Sequence, residues 1–197
     1  MKNKQIQKLK QKSPRQSCKQ AEFMNQKYPL QYGGILRNKA KNRGARPLSS
    51  KDTLHLVMRS SQAKKDYSFR NPKHFAKLGL LIQNFSKTKG VQILSLANVG
   101  NHLHLQIKIT NRTLYKAWIR GLSSAIAMLI AGQKGLADLK KQNKKFWDYR
   151  PFTRVVRSFR AFLNLKDYIE INQLEGVGVN RIQATILIKG SRVYFSG

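Results

Sequence analysis

The chain is short of acids, short of cysteine, and without a long hydrophobic run. Of 197 residues only 8 are Asp or Glu, against 39 Lys or Arg, which leaves a formal charge of +31. So few acids exclude a self-neutralised surface, and without a polyanion the cations repel one another. One cysteine, Cys18, excludes an intramolecular disulfide and a cysteine-based zinc site, and fits a reducing compartment. The basic opening MKNKQIQKLKQKS lacks the apolar centre of a secretory signal. The most apolar run, Leu122 to Ala131, is too short to cross a bilayer. A soluble, cytoplasmic chain with no membrane partner is therefore expected.

What is present points to nucleic acid, because lysines and arginines that neutralise phosphates release counterions and drive binding. An anionic membrane would need a basic amphipathic helix with a clean apolar face, and none stands out. An RNA-bound structural protein of ribosomal type also fits the charge. An apolar fraction of 41% is enough for one core with extensions. Residues 1–50 read as an irregular basic arm, with Arg43 and Arg46 as candidate nucleic-acid contacts. Residues 51–176 read as the folded domain and 177–197 as a C-terminal tail. Within that tail, Ala184 to Phe195 is open to a further strand with no assigned place.

Periodicity predicts the elements between. Thr53 to Arg59 alternates as a first strand. Asn71-Pro72 starts a helix over His74 to Lys87, with Phe75, Leu78, Leu81, Ile82 and Phe85 at helical spacing. Val91 to Ala97 and Asn101 to Ile109 form a hairpin across Asn98-Val99-Gly100. A second helix is predicted from Thr113, its expected N-cap, to Ala131, closed by Gly132 and Gly135. Lys145 to Val156 reads as a fourth strand kinked at Pro151, and Ser158 caps a third helix to about Leu174. The order βαββαβα predicts an α+β fold: a ferredoxin-like, split-βαβ antiparallel sheet with packed helices.

Two of the four histidines lie in Asn101-His102-Leu103-His104-Leu105. In a strand, residues two apart share a face, so His102 and His104 stand side by side while the leucines enter the core. Two imidazoles on a rigid face make a ready divalent-metal site. In the third helix Tyr168 and Asn172 are one turn apart, on the flank of the stripe Phe159, Phe162, Leu165 and Ile169. There a tyrosine can reach a phosphate, and an amide oxygen can complete the ligands of Mg²⁺ or Mn²⁺. Tyr149 and Tyr67 are rival nucleophiles without a ligand-capable residue one turn on. Arg59, Arg150 and Arg154 are candidate phosphate contacts, and Trp147 a candidate stacking surface for unpaired bases. His55, mid-strand, is open to being a neighbour of the site, with a structural role favoured.

These residues resemble the HUH single-tyrosine (Y1) transposases: the IS200/IS605-like group and, more closely, the REP-associated tyrosine transposases. The resemblance runs from about Thr53 to Glu175 through LHLVMRS, NHLHL, FWDYRPFTRVV and YIEIN. It implies the HUH nuclease fold, a nucleoid-associated protein, and single-stranded DNA, with hairpin structure, as substrate. It also implies cleavage and joining through a 5′-phosphotyrosine intermediate, and leaves a homodimer open. Carried over by position, Tyr168 is the nucleophile and His102, His104 and Asn172 hold the metal. The chain departs from the family pattern at Gly100, where relatives often have Pro, and at Glu170 and Gln173, which replace His and Pro. A non-catalytic nucleic-acid-binding protein on the same fold is the alternative. A relaxase or replication initiator is a third reading, although the chain has no P-loop.

Overall fold

A computed structural model describes residues 47–193, so Arg43, Arg46 and nearly all of the basic arm lie outside the described residues. The elements are β1 (Thr53–Arg59), α1 (Pro72–Thr88), β2 (Val91–Asn98), β3 (His102–Ile109), α2 (Arg112–Lys141), β4 (Phe152–Val156), α3 (Phe159–Gly176) and α4 (Arg181–Val193). A 3-10 turn at Lys65–Tyr67 precedes α1. The four strands form one antiparallel sheet in the order β2-β3-β1-β4. Those neighbours are the ones a split βαβ unit dictates, so the predicted α+β class and its sheet are present.

Strand alternation gives the sheet two unlike faces. Leu54, Leu56 and Met58 of β1 and Leu103, Leu105 and Ile107 of β3 all point one way and are fully buried. Leu78 and Ile82 of α1 and Trp118, Leu122 and Ile126 of α2 cover them and complete the main core. The Trp118 indole N–H donates to Ser86 Oγ at 3.2 Å, which satisfies the one polar group that this ring buries. The opposite face carries His55, His102, His104 and Gln106, with α3 packed across β2 and β3. A second apolar cluster, Ala97, Val156, Leu165 and Ile169, seats that helix.

Local chemistry sets the boundaries. Asn71 caps α1 by accepting from the Lys73 N–H at 2.9 Å, and Pro72 occupies the first turn, where a missing donor costs nothing. Ser158 caps α3, as expected, accepting from the Ala161 N–H at 3.2 Å. The hairpin turns on Gly100 at φ 99°, a conformation closed to proline and strained for any residue with a Cβ. Asn98 locks it: Oδ1 accepts from the Gly100 N–H at 3.0 Å and Nδ2 donates to the Phe69 carbonyl at 2.8 Å.

Four expectations are corrected. The cap of α2 is Asn111, not Thr113; its Oδ1 accepts from the Thr113 N–H at 2.6 Å. That helix does not stop at Ala131. It kinks at Gly132 (φ 64°, ψ 177°) and runs on to Lys141, because Leu136 and Leu139 still have core to pack against. The fourth strand is only Phe152–Val156. Residues 145–151 instead plug Phe146 and Trp147 into the main core and tie Asp148 to the end of β1, its N–H donating to the Arg59 carbonyl at 3.0 Å. The tail forms no strand up to Val193: it is α4, packed on α3 through fully buried Ala184 and an Arg181–Glu175 ion pair of 2.8 Å.

Candidate functional site

The site lies on the α3-covered face, where register does the assembling. β3 sets His104 opposite Val57 and His102 opposite Arg59; β1 sets His55 opposite Gln106 on one side and Arg154 on the other. His102 and His104 therefore share a face, with ring centroids 4.8 Å apart and planes nearly perpendicular (79°). α3 brings Tyr168 edge-on to His104, at 5.4 Å and 89°. Asn172 follows one turn later, buried against the sheet, and its Nδ2 donates to the Tyr168 carbonyl at 2.6 Å. That bond uses the amide N–H and directs Oδ1 elsewhere.

Two glutamines fix the helix over the strands. Gln106, fully buried on β3, donates from Nε2 to the Phe162 carbonyl at 3.3 Å. Gln173 accepts through Oε1 from the Asn98 N–H at 2.7 Å, tying the end of α3 to the hairpin. Tyr168 sits between these ties. A proline at 173 would lack that acceptor, so this departure from the family pattern has a structural role of its own.

His55 lies beside His104 and Tyr168, as a neighbour of the site rather than the structural residue favoured from sequence. Its Nε2 lies 3.2 Å from His104 Nδ1, its ring is nearly parallel to that of His104 (centroids 5.4 Å apart, 19°), and it meets Tyr168 at nearly right angles at 6.0 Å. Alternation along β1 puts His55 on the right face but cannot show that β1 pairs with β3 in this register. Gln106 escapes sequence reasoning for the same reason.

All three imidazoles are held neutral. Burial, with the Arg154 guanidinium adding to it, lowers His55 from 6.5 to about 4. Burial and then the neighbouring His55 and His102 lower His104 from 6.5 to about 3. Burial and then Arg59 lower His102. Desolvation disfavours the charged ring in each case, and a neutral ring keeps the lone pair that a metal needs. His104 Nε2 is buried and has no hydrogen-bond partner. His102 Nδ1 is engaged by Asn101 Oδ1 at 2.6 Å, which leaves Nε2 as the nitrogen that could ligate. Among the described residues no group of three or more His, Cys, Asp or Glu is placed to hold a metal ion. His55 therefore makes no three-ligand cluster with His102 and His104.

Beside Tyr168 a cavity of about 320 Å³ opens between α3 and the β1–β4 side of the sheet. His55, Arg154, Asn164 and Tyr168 supply its polar walls. Of the other sequence candidates, Arg59 stands next to His102 but is paired with Asp148 at 3.5 Å, and Arg150 is exposed just before β4. Trp147 is packed with Phe69 and Phe146 in the main core, its indole N–H donating to the Ser123 carbonyl at 2.9 Å. The structure therefore does not bring Trp147 to this face. Tyr67, far along the chain from α3, lines a different cavity with Gly135 and Leu139, and exposed Tyr149 lies in the loop before β4. No helix among the described residues is long and apolar enough to cross a membrane.

No family model matches the chain, and no curated protein matches it. Solved structures do. One is a REP-associated tyrosine transposase bound to a REP hairpin, covering 68% of this chain and 73% of its own, with TM-score 0.51 and 12% identity. Another, from Deinococcus radiodurans R1 and described as a candidate transposase, covers 68% of this chain and 97% of its own, with TM-score 0.41 and 17% identity. At such identities the likeness is one of architecture: this chain has the α+β fold of the REP-associated tyrosine transposase.

Proposed function

We propose that this protein is a metal-dependent endonuclease and strand transferase for single-stranded DNA. It works through a 5′-phosphotyrosine intermediate, in DNA transposition or a process derived from it. The observation that carries the reading is Tyr168 set edge-on against His104, 5.4 Å between centroids, beside the paired imidazoles. Tyr168 is 38% exposed, so a strand can reach its phenol.

The ion proposed is Mg²⁺ or Mn²⁺, as the family resemblance implies. His102 Nε2, the partnerless Nε2 of His104 and the Asn172 amide oxygen would hold the ion, and open positions would be left for substrate. When bound, such an ion polarises the scissile phosphate and stabilises its developing charge. The chain's own residues do the rest. Arg154 and Asn164, on the wall of the cavity, draw in the backbone, with Arg59, opposite His102, and exposed Arg150 as further phosphate contacts. The Tyr168 oxygen attacks phosphorus and the bond to the 3′ oxygen breaks. The 5′ phosphate becomes a tyrosyl ester, and the departing 3′ hydroxyl takes up a proton equivalent to the one the phenol loses. A 3′ hydroxyl attacking that ester reverses the step, restores Tyr168 and joins strands, with no nucleotide cofactor consumed.

The fold neighbour is a protein bound to a REP hairpin, so single strands carrying hairpins are the first substrates to try. Labelled oligonucleotides are incubated with the protein and Mg²⁺ or Mn²⁺ and resolved on a denaturing gel. A covalent band that needs metal and disappears in Tyr168→Phe, while binding is retained, is the expected result. A band that survives in Tyr168→Phe defeats the assignment. Tight binding with no band under any condition favours the non-catalytic binding protein.

A further inference from the structure

We infer that His55 is a positioning residue that fixes the tautomer of His104, holding the proton on Nδ1 so that Nε2 presents a bare lone pair. The inference rests on the reading of His104 as a metal ligand, and it adds a requirement that neither the motif nor the fold supplies. His55 Nε2 and His104 Nδ1 are 3.2 Å apart, and both residues are buried. A hydrogen bond between two imidazoles uses one N–H and one lone pair. If His55 donates, His104 carries its own proton on Nε2. That atom is buried and partnerless, so it would be a donor without an acceptor and useless to a cation. If His104 donates, the same atom is a bare lone pair, on a ring whose centroid lies 4.8 Å from that of His102. Only the second arrangement makes the two histidines a ligand pair.

The register explains why His55 can do this. β1 and β3 are adjacent central strands, and His55 is diagonal to His104 on one face, paired with Gln106. Near-parallel ring planes, 19° apart, keep the ring nitrogens in line, while Tyr168 meets both rings at nearly right angles. His55 is no third ligand, since no three such residues among those described are placed to share an ion. Its work is orientation, the role that groups behind a metal-bound histidine commonly have.

The test begins on metal-free protein. Two-bond ¹H–¹⁵N correlation spectra of histidine-labelled protein, with His104→Ala as the assignment control, show which nitrogen carries the proton. The expected wild-type result is the Nδ1–H form at His104. In His55→Phe it shifts to Nε2–H, and in His55→Gln, whose side-chain oxygen can accept, the Nδ1–H form is kept. Calorimetric titration with Mn²⁺ alone should show His55→Phe weaker by about 10- to 100-fold and His55→Gln close to wild type. An Nε2–H tautomer in the wild type overturns the inference, as does a folded His55→Phe that binds Mn²⁺ like wild type. If His55→Phe does not fold, the wild-type and His55→Gln spectra still decide. If even the wild type binds no Mn²⁺, the proposed metal chemistry fails, while the tautomer seen at His104 separately supports or overturns the role of His55.

Discussion

Acid should unfold this protein through its buried histidines. The folded state holds His55 down at about 4, against 6.5 for an ordinary imidazole. A group depressed on folding contributes stability that is complete above the unfolded value and is lost as pH falls toward the folded one. Between about pH 6.5 and 4 the unfolded chain binds a proton that the folded chain refuses. At roughly 1.4 kcal/mol per pKa unit, that amounts to about 3 kcal/mol from His55. His104, pushed down to about 3 and in contact with His55, carries the loss further in the same direction, and the two titrate as a pair. Against a typical total of about 5–15 kcal/mol, this is a large share. The assay is urea unfolding at fixed ionic strength from pH 7.5 to 4.5, comparing wild type with His55→Gln/His104→Gln. Stability should fall steeply with acid in the wild type and much less in the double variant. Equal slopes in both proteins would refute the reasoning.

Three further outcomes follow from the geometry. Saturating Mn²⁺ should raise the melting temperature of the wild type, by the equivalent of about 2.7 kcal/mol at a hundred times Kd; His102→Ala should melt alike with and without the ion. Arg154→Gln should weaken single-strand binding and flatten the plot of log K against log salt by about 0.7, measured by fluorescence anisotropy at several salt concentrations. Gly176→Ala would bring a Cβ to 2.7 Å from the Asn98 carbonyl oxygen and 3.0 Å from Arg70 Nη1. The end of α3 must then lift from the hairpin, at about 1–3 kcal/mol, read by urea unfolding, with adduct formation falling in parallel.

Strand and helix positions are legible where one periodicity dominates. β1 lies where alternation puts it, and His102 and His104 share a face because period two leaves no choice. Failures come where tertiary contact outranks local pattern. Gly132 and Gly135 read as a stop, yet Leu136 and Leu139 reach the core and α2 resumes. The β-branched residues near Ile186 suggest a strand, but buried Ala184 docks that segment as a helix while Ile182 and Ile186 remain exposed. FWDYRPFTRVV looks extended throughout, though its first half is anchored by aromatic burial and not by a ladder. His55 reads as structural in the sequence because its place beside His104 lies in a pairing between strands that the chain places some fifty residues apart. Local sequence records which face a residue takes and is silent on which residue it will meet there.

The site has no carboxylate on its cavity wall, and its imidazoles are uncharged, in a chain carrying +31. A divalent cation approaching His102 and His104 must therefore climb the molecule's own positive potential, with only dipoles and lone pairs to receive it. On the proposed function an anionic strand would reverse that field when it arrives. Ion and strand would then be heterotropic partners, each raising the other's affinity by the same factor. A protein so built would stay poorly loaded with metal until it had DNA in hand, and its cutting chemistry would be silent until the target itself completed the circuit.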